Sequence, residues 1–562
     1  MVPKFSFLPQ SLKKIICLSV FLFLMGITHG AHAASFLVTS LGDGGDANWG
    51  DNLCDNGAGV CTLRAAVEES NANGDIENTI HFHLPVHSQI TLGSELHPTK
   101  SLQINGPGLQ NLTISGNHAT RIFEFSSATH NQIFSLNGLT LADGKASNTG
   151  GSAVYVFSNT LTLSDCLLKN NQAVSQAGDQ GGAIVNFGAF VQILNTTFSE
   201  NSAAGNGGGA IYTSNSGAFI ANVVIQNSTF RQNQTSGSGG AILNSDGHLK
   251  IENSTFSGNH SDQNGGALAA QNGQVELANV TLAFNQADFD GNNDGDGGGI
   301  FQANASVQLV NTIVAKNQDK TSFGGVVEND CHGSLTTVGH NLLGDETGCS
   351  GLVNGANGDK VGSGGAPLDP LLADLADNSG VTQTHALLAG SPAINAGDDS
   401  KLPASGKDQR GFLRGSGSDI GAFEAVCGDG LVQDFNAESC DDQNGADGDG
   451  CSATCKIEAG FTCSGSPSVC VPIVCGDGKC EAGETSATCA QDCPATCGNG
   501  VCESGEDASN CPQDCPAPPA PGGSSGGCML NAATSLGNSG VTSMTGMLLG
   551  VLGLGYFRSR RK

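Results

Sequence analysis

The sequence predicts an all-β protein: a right-handed parallel β-helix followed by small disulfide-rich modules. Three features of the 562 residues support this prediction: a repeated glycine-rich phrase, an alternating apolar pattern between repeats, and a cysteine-rich region after them. The repeats recur roughly every 26 to 33 residues, which is the range of solenoids. One such unit cannot bury its own apolar face, so neighbouring units must stack along an axis to form a core.

Each repeat begins with Gly-Gly-Ala or Gly-Gly-Ile and continues through an alternating stretch to an asparagine. The phrases begin at Gly181, Gly208, Gly239, Gly265 and Gly298, and the asparagines are Asn195, Asn227, Asn253, Asn279 and Asn311. Pairs such as Val275 and Leu277 alternate with polar residues, which is typical of a strand with one buried face. Asparagine tolerates the left-handed backbone region needed at a corner. We therefore expect one strand-and-corner coil per repeat.

A second phrase places a phenylalanine three residues before another asparagine, at Phe198, Phe230 and Phe256. We expect the ring in the core and the asparagine at a polar corner, where stacked amides can form a ladder. Together the two phrases resemble the repeats of polymorphic outer-membrane proteins and related bacterial surface β-helices, over about residues 150–317. A low-complexity linker is the alternative, but disordered tracts lack a periodic apolar face.

The chain begins with a predicted signal peptide over residues 1–33, with Lys13 and Lys14, an apolar run and a small-residue cleavage site. An exported chain tolerates disulfides. Cys61-Thr62-Leu63-Arg64-Ala65-Ala66 then begins a predicted helix that ends near Asn73. This segment resembles the Cys-Ser-Leu-Arg-Glu-Ala domain of secreted β-helix proteins, with Thr62 for serine and Ala65 for glutamate. The resemblance implies an N-terminal cap over about residues 34–80.

Phrases toward the end of the predicted β-helix domain, residues 34–425, resemble the closing module of surface "choice-of-anchor" proteins. They begin at Asp369, Thr382, Gly390, Asp408 and Asp419. The resemblance implies a C-terminal cap over about residues 367–425. We interpret His385, Asp408 and Arg410 as hydrogen-bonding groups of this cap rather than as catalytic residues. Cys331 and Cys349 are expected to pair, and Cys166 is expected to be a buried free thiol.

Most of the 21 cysteines lie in residues 426–515, where two copies of one module follow an earlier module. The earlier module resembles the cysteine-rich repeats of myxobacterial-type surface proteins. Modules this small need cross-links to fold. Zinc is the alternative to disulfides, but histidine is absent between Cys427 and Cys515. The pairing does not follow from the sequence.

Acidic residues in two regions are candidate ligands for Ca²⁺, which prefers oxygen atoms. The first set repeats in the duplicated modules: Glu481, Glu484, Asp492, Glu503, Glu506 and Asp514. The second set is Asp290, Asn292 and Asp294, which matches the first half of an EF-hand loop, although Phe301 stands where the closing glutamate belongs. An unliganded insertion is the other interpretation of this loop, and no cofactor is required.

The far end of the chain combines a Pro/Gly/Ser linker, residues 516–527, with a tail, residues 528–562. The tail holds Cys528, an apolar stretch and terminal cations. This arrangement resembles bacterial sorting signals, which implies a sorting protease as partner. A permanent single-span anchor is the alternative. Either one leaves the β-helix at the cell surface or outer membrane.

The net charge of −29 argues against nucleic-acid binding. A uronate lyase needs clustered cations, whereas Arg231, Lys169, Lys250 and Lys316 belong to separate repeats. A hydrolase needs two carboxylates about 5 to 9.5 Å apart. Glu252 and Glu276 were candidates because they fall in matching strand positions, but we expect both to face solvent.

The 25 phenylalanines, with one tryptophan and three tyrosines, predict core filling rather than stacking platforms for carbohydrate. We therefore predict an exported, surface-anchored β-helix protein that functions in adhesion, with a glycan or cell-surface ligand as partner. The alternatives are a polysaccharide lyase or glycoside hydrolase with an unrecognised site, and a structural spacer. Fold alone does not decide among them.

Overall fold

The computed structural model describes residues 33–127, 129–175, 180–292, 294–321, 325–433, 438–476, 489 and 491. The chain divides into two compact units, Met1–Ile473 and Val474–Lys562. In the second unit, Cys475 and Cys489 form a disulfide. The predicted signal peptide, linker, tail and the six acidic residues of the duplicated modules lie outside the described residues.

The first unit is dominated by a parallel β-solenoid, which confirms the predicted fold class. Each full coil gives one strand to each of four ladders, and each strand pairs in parallel with its equivalents in the neighbouring coils. Ladder 1 contains β6 (Phe123–Phe125), β10 (Val154–Phe157), β14 (Ile184–Phe187), β18 (Ile211–Ser214), β22 (Ile242–Asn244), β25 (Leu268–Ala270), β28 (Ile300–Gln302) and the start of β33 (Cys331–Gly339).

Ladder 2 is the longest and begins at the first described residue. It contains β1 (Ala33–Val38), β2 (Glu77–Phe82), β4 (Leu102–Asn105), β7 (Ile133–Asn137), β11 (Thr160–Ser164), β15 (Phe190–Leu194), β19 (Asn222–Gln226), the first halves of β23 (His248–Ser257) and β26 (Gln274–Ala283), β29 (Ser306–Val310) and the end of β33.

Ladder 3 follows the asparagine corner, and ladder 4 precedes the Gly-Gly phrase of the next coil. Ladder 3 contains β3 (Ser88–Thr91), β5 (Leu112–Ser115), β8 (Thr140–Ala142), β12 (Leu167–Lys169), β16 (Thr197–Ser199), β20 (Thr229–Arg231), the second halves of β23 and β26, β30 (Ile313–Ala315), β34 (Leu342–Leu343) and β36 (Lys360–Val361). Ladder 4 contains β9 (Lys145–Ala146), β13 (Gln172–Ala173), β17 (Ser202–Ala203), β21 (Gln234–Thr235), β24 (His260–Ser261), β27 (Gln286–Ala287), β31 (Gln318–Thr321) and the antiparallel β32 (Gly325–Glu328).

The remaining elements lie outside the four ladders. They are the helix α1 (Leu63–Ala72), β35 (Cys349–Ser350), which pairs with β33, the hairpins β37 (Leu372–Ala376) with β38 (Thr384–Leu387) and β39 (Phe461–Ser464) with β40 (Val469–Pro472), and a 3-10 turn, Asp399–Lys401.

Equivalent residues stack in the interior, as the repeats predict. Phe230 lies between the rings of Phe198 and Phe256, with centroids 4.6 Å apart on both sides and planes nearly parallel. The asparagines that begin the corner phrase adopt positive φ, for example 48° at Asn195 and 44° at Asn253. The structure therefore confirms that the phenylalanine rings lie in the core and that the corner asparagines adopt the left-handed backbone conformation.

The buried asparagines form a continuous amide ladder. Its members are Asn171, Asn201, Asn233, Asn259, Asn285 and Asn317. Each Nδ2 donates to the Oδ1 of the next member at 2.8 to 2.9 Å. Each Nδ2 also donates to a backbone carbonyl of the preceding coil, such as Phe198 for Asn233. Because these amides have no access to water, their pairing removes a large desolvation penalty.

The two glycines of each phrase serve different purposes. Gly239 has φ of +75°, a conformation that favours glycine. A Cβ on Gly240 would lie 2.7 Å from the backbone nitrogen of His260, so ladder 4 packs directly on the bare backbone. The fifth phrase is shifted by one residue from the prediction. Ile300 pairs with Leu268, and the positive φ falls at Gly297.

The predicted N-terminal helix is α1, and it packs on the end of the core. Thr62 is its N-cap and accepts a hydrogen bond from the backbone N–H of Ala65, so threonine keeps the capping chemistry of serine. Leu63 and Val67 are buried in the solenoid core. Cys54 and Cys61 form a disulfide just before the helix.

Residues 367–425 lie along the side of the solenoid, whereas we expected their hydrogen bonds at its end. Thr229 donates to the Gln383 carbonyl at 2.6 Å, and Ala422 donates to Thr281 Oγ1 at 3.0 Å. His385 Nε2 lies 2.9 Å from Ser257 Oγ. These contacts reach three different coils of ladder 3. Threonine and serine recur there on the outer side, which gives a polar surface for this lateral segment.

Buried ion pairs join the lateral segment to the first cysteine-rich module. Arg410 bonds Asp408 at 2.8 Å and Asp429 at 2.9 Å, and its guanidinium lies 3.7 Å from the ring centre of Phe423. Within that module the structure pairs Cys427 with Cys455, Cys440 with Cys451 and Cys463 with Cys470. The Cys331–Cys349 disulfide and the buried free Cys166 match expectation.

Candidate functional site

An apolar column runs along the outer face of ladder 1. Successive strand residues alternate sides, so the residue after each interior valine, isoleucine or leucine faces outward. The column comprises Tyr155, Val185, Tyr212, Leu243, Ala269 and Phe301, all paired in register. It forms an apolar cluster separate from the interior core. The Phe187 ring meets Tyr212 edge-on at 5.7 Å.

A groove lies beside this column, and its first lobe has a volume of about 560 Å³. That volume falls within the range of about 300 to 1,000 Å³ found for ligand sites. Its lining combines Tyr212 and Leu243 with small residues, hydroxyls and amides: Gln180, Ala204, Gly205, Asn206, Ser236, Gly237, Ser245, Gln263 and Gln271. Among these described residues there is no carboxylate and no cationic side chain.

The wall of the first lobe is made by the turns that connect ladder 4 to ladder 1. A Cβ on Gly237 would lie 2.4 Å from the carbonyl oxygen of Asn206, so glycine permits these turns to stack. Gln263 donates its backbone N–H to the Gly237 carbonyl and accepts a weak side-chain bond from Ser238 at 3.4 Å. The turns therefore form a continuous wall across three coils, with polar side chains held on it.

The second lobe lies on the ladder 4 side and has a volume of about 450 Å³. Ala204 and Ser236 line both lobes, so we treat them as one outer groove. The His260 ring stacks on Phe289 with centroids 4.4 Å apart. Burial lowers the pKa of His260, which keeps the imidazole neutral at neutral pH. This lobe also contains Asp262.

The end of the groove beyond Asp262 is strongly acidic. Asp288, Asp290 and Asp296 lie on the turn after β27, and Asp319 lies on β31. Burial raises the pKa of Asp319 to about 6, helped by the charges of Asp296 and Asp288. Burial also raises the pKa of Asp262, with Asp290 and Asp288 contributing. Aspartates from three successive coils therefore lie close together at this end of the groove.

The predicted EF-hand-like residues lie at this acidic end. The Nδ2 of Asn292 donates to Asp290 Oδ2 at 2.8 Å, and Asp294 is exposed. These contacts neither require nor preclude a cation, so the Ca²⁺ assignment of Asp290, Asn292 and Asp294 stays a prediction.

Glu252 and Glu276 do not occupy matching strand positions, and the expectation that both face solvent is right for Glu276 but wrong for Glu252, which is buried. The register opposes Glu276 to Lys250, and Glu252 to Ala278. Lys250 Nζ also bonds Glu252 Oε1 at 2.7 Å. Cross-strand attraction between opposite charges favours this register, and the two glutamates do not form a carboxylate dyad.

Two other carboxylates come together at the N-terminal end of ladder 1. Arg121 Nη1 lies 2.9 Å from Glu95 and 3.2 Å from Glu124, and His97 Nε2 lies 3.2 Å from Glu95. The hydrogen bond to His97, with Arg121 assisting against burial, holds the pKa of Glu95 below its ordinary value. A general acid for hydrolysis needs a raised pKa, which is the opposite of the shift at Glu95.

Three of the four cations named for the repeat region, Arg231, Lys250 and Lys316, are engaged in ion pairs. Arg231 lies 3.9 Å from Glu200, Lys250 lies 2.7 Å from Glu252, and Lys316 lies 2.9 Å from Asp369. They belong to different coils, as the sequence indicated. Arg231, Lys250 and Lys316 therefore do not form a cluster that would neutralise a uronate.

The fold defines a class: a solenoid whose stacked repeats carry an outward-facing groove. The Chlamydia polymorphic membrane protein (Chlamydia_PMP) repeat matches residues 195–214, 227–245 and 253–271. These segments run from ladder 3 to the next ladder 1 strand, and so include part of the groove. The repeats and the β-helix point to a protein of the cell surface or outer membrane.

Shorter similarity connects the chain to two mammalian proteins. Pappalysin-1 of Mus musculus is 48% identical over 67 residues, covering 12% of this chain and 4% of that protein. Pappalysin-1 of Homo sapiens is 42% identical over 82 residues, covering 15% and 4%. The chain thus spans about 4% of the length of these relatives. No solved structure matches. In the ranges that the structure describes, no helix has the length and apolarity to cross a membrane.

The outer groove was missed from the sequence because both faces of ladder 1 are apolar. Tyr155 and Tyr212 were assigned to core filling, but they belong to the outer column. A signal was present: the residue after the interior isoleucine or leucine is Val185, Tyr212, Leu243, Ala269 and Phe301 in turn. A column of large side chains on the second face indicates a covered or binding surface.

Proposed function

We propose that this protein is an exported, surface-anchored β-helix protein that binds a neutral glycan through the outer groove. The observation that carries the proposal is the lining of the first lobe. Tyr212 and Leu243 form a largely buried floor, with 7% and 2% of their surfaces exposed, and the amides and hydroxyls around them supply hydrogen-bond donors and acceptors without charge. A neutral sugar presents many hydroxyl groups, which suit such a polar, uncharged surface.

The repeat geometry favours an extended polymer as ligand. Neighbouring strands of a ladder lie about 4.8 Å apart, so the groove repeats its chemistry along the solenoid axis. Gln180, Asn206 and Gln263 lie on three of the four turns of the wall, and Ser236 lies on the turn between Asn206 and Gln263. A chain of sugar residues along the axis would meet an amide or a hydroxyl at each turn. Binding energy would then accumulate over several weak contacts.

Attachment of the chain to the cell is also a proposal. Residues 1–33 would direct export, and residues 528–562 would be cleaved by a sorting protease at the Cys528 motif or kept as a membrane anchor. The Cys-Ser-Leu-Arg-Glu-Ala and choice-of-anchor resemblances support this arrangement. Both routes leave the groove outside the cytoplasm, where glycans of another cell or surface are accessible.

Catalysis is the competing function and has less support. The Glu95–Glu124 pair shares Arg121, and Glu252 and Glu276 are out of register. A structural spacer is the third possibility, but it gives no reason for a groove lined by exposed polar groups on an apolar column. The groove therefore favours binding over both alternatives.

The test is a glycan array probed with the purified secreted protein, followed by an assay for new reducing or unsaturated ends on the bound glycans. We expect binding without products. Gln263→Ala should weaken binding at least several-fold. Gln308→Ala is the matched control, because Gln308 is an exposed glutamine on the outer face of ladder 2. If new ends form, the protein is an enzyme and the proposal of binding alone is wrong. If no glycan binds, the structural spacer is favoured.

A further inference from the structure

Asp319 occupies a position that is anomalous in its ladder. The equivalent buried positions along ladder 4 are held by small residues: Ala146, Ala173, Ala203, Thr235, Ser261 and Ala287. Asp319 is only 5% exposed, and its Oδ1 is fully buried without a hydrogen-bond partner among the described residues. A buried carboxylate oxygen without a donor is costly. It needs either a proton or a cation.

Two more carboxylates belong to the same turn. Ala287 pairs in register with Asp319, so Asp288 follows directly beside it. A Cβ on Gly295 would lie 3.0 Å from the backbone nitrogen of Asp288, so the turn closes on itself and returns Asp296 toward Asp288. A Cβ on Gly298 would lie 2.4 Å from the backbone of Gln318, which brings the end of the turn against β31.

The two nearby basic side chains, Lys320 and His332, do not contact the buried oxygen of Asp319. Lys320 Nζ donates to the Phe289 carbonyl at 2.9 Å. His332 Nδ1 lies 3.6 Å from Asp296 Oδ2, on the half-exposed side of that carboxylate. Neither contact reaches Oδ1 of Asp319. The neighbouring Asp262 and Asp290 add further negative charge.

We propose that Asp288, Asp296 and Asp319 bind one Ca²⁺ ion, with the buried Oδ1 of Asp319 as the anchoring ligand. Calcium takes six to eight oxygen ligands in flexible geometry, so backbone carbonyls and water would complete the shell. The three carboxylates do not lie within 4.8 Å of one another in the structure, and binding would therefore tighten the turn between Asp288 and Asp296. This site is independent of glycan binding, and it differs from the EF-hand-like set of Asp290, Asn292 and Asp294.

The test is calcium titration of the intact secreted protein after treatment with EDTA and dialysis. Isothermal titration calorimetry should show one binding site fewer in Asp319→Asn than in the wild type. Calcium should raise the wild-type Tm by about 2 °C or more, and Asp319→Asn should lose that part of the rise. Without calcium the variant should melt at or above the wild type, because it removes like-charge repulsion.

Two control variants separate this site from its rivals. Glu276→Gln, on ladder 2, should keep the wild-type response, and Asp290→Asn should keep the part of the response that Asp319→Asn loses. Loss of the response in Asp290→Asn but not in Asp319→Asn would overturn the assignment. So would an unchanged number of sites in Asp319→Asn, or no calcium response in the wild type. If Asp319→Asn fails to fold, the half-exposed Asp296 replaces it: Asp296→Asn must then weaken calcium binding at least tenfold.

Discussion

Asn317 donates a hydrogen bond from Nδ2 to Oδ1 of Asp330 at 2.9 Å, where the buried amide ladder ends on a carboxylate. The backbone N–H of Asn317 donates to the same oxygen at 2.8 Å, and Oδ2 of Asp330 accepts from the backbone of Asp345 at 2.7 Å. The amides are aligned, with each donor pointing toward the next coil. Both oxygens of the fully buried Asp330 side chain thus accept hydrogen bonds from N–H groups, so the ladder ends on a group with acceptors available at both oxygens.

Replacing Asp330 by asparagine should destabilise the protein. In Asp330→Asn one side-chain oxygen becomes an NH₂ group, which either faces the Asp345 N–H or disrupts the bonds from Asn317. We expect a loss of about 1 to 3 kcal/mol in the free energy of unfolding, measured by urea denaturation. Asp374→Asn, at an exposed position, should stay within about 0.5 kcal/mol of the wild type. Equal stability of the two variants would contradict the role of Asp330.

The phenylalanine stack should be a major source of core stability. Truncation in Phe230→Ala leaves a cavity between Phe198 and Phe256, and we expect a loss of about 3 to 5 kcal/mol. Phe190→Ala is the matched control, since Phe190 is 42% exposed on the outer side of ladder 2. It should cost much less. Urea denaturation of both variants measures the two losses in the free energy of unfolding. Similar losses would show that the phenylalanine stack is not a major source of stability.

These features of the core follow from the sequence because stacking repeats the same residue at the same place. Gly239, Phe256 and Asn259 each belong to a visible phrase, and each phrase has a separate physical requirement: positive φ, interior volume or an amide partner. Glu252 and Glu276 are not equivalent positions, because Glu252 lies one residue before Asn253 whereas Glu276 lies three residues before Asn279. Alignment on these asparagines places Lys250 opposite Glu276, as the structure shows.

The candidate site was harder to predict than the core. Tyr212 lies in a strand with apolar residues on both faces, so alternation gives no sign of its direction. The lateral course of residues 367–425 depends on contacts such as Thr229 with Gln383, which are 154 residues apart in sequence. Long-range contacts of this kind leave no periodic pattern. Asp319 would have been noticed only after ladder 4 was aligned.

Stability should fall as the pH rises toward neutrality, through Glu424. Burial raises the pKa of Glu424 to about 7, with the charge of Asp419 adding to the effect and Arg414 opposing it. The folded protein therefore holds a proton that the unfolded chain releases near pH 4.5. The stabilisation is complete below that value and is lost as the pH passes through about 7.

The measurement is urea unfolding at several pH values between about 4 and 8. The variant Glu424→Gln removes the titrating group while it keeps an oxygen for Arg414. Its stability should depend less on pH over this window than that of the wild type. An identical pH slope in both proteins would show that Glu424 does not contribute.

Cys166 should be inert toward thiol reagents in the folded protein. Burial raises the pKa of its thiol to about 12, so almost no thiolate exists at neutral pH. We expect no reaction with Ellman's reagent until denaturant is added, and then one thiol per chain from this position.

Cys166→Ser provides the control for that assay. Thr196 and Ser228 occupy equivalent positions in the next coils, and their hydroxyls donate to the carbonyl two residues earlier. A serine at position 166 can make the same bond, so the variant should fold and lose the denaturant-dependent signal. A rapid reaction of the native wild-type protein that Cys166→Ser abolishes would contradict the buried assignment.

The central claim is that the outer groove is the binding surface, and hydrogen–deuterium exchange with a bound glycan tests it most directly. The ligand is the best binder from the array. We predict slower exchange in peptides covering residues 204–212, 236–245 and 263–271, which contain the lining of the first lobe apart from Gln180. Peptides from the outer face of ladder 2 should be unchanged. Protection confined to ladder 2, or to the lateral segment 367–425, would contradict the account.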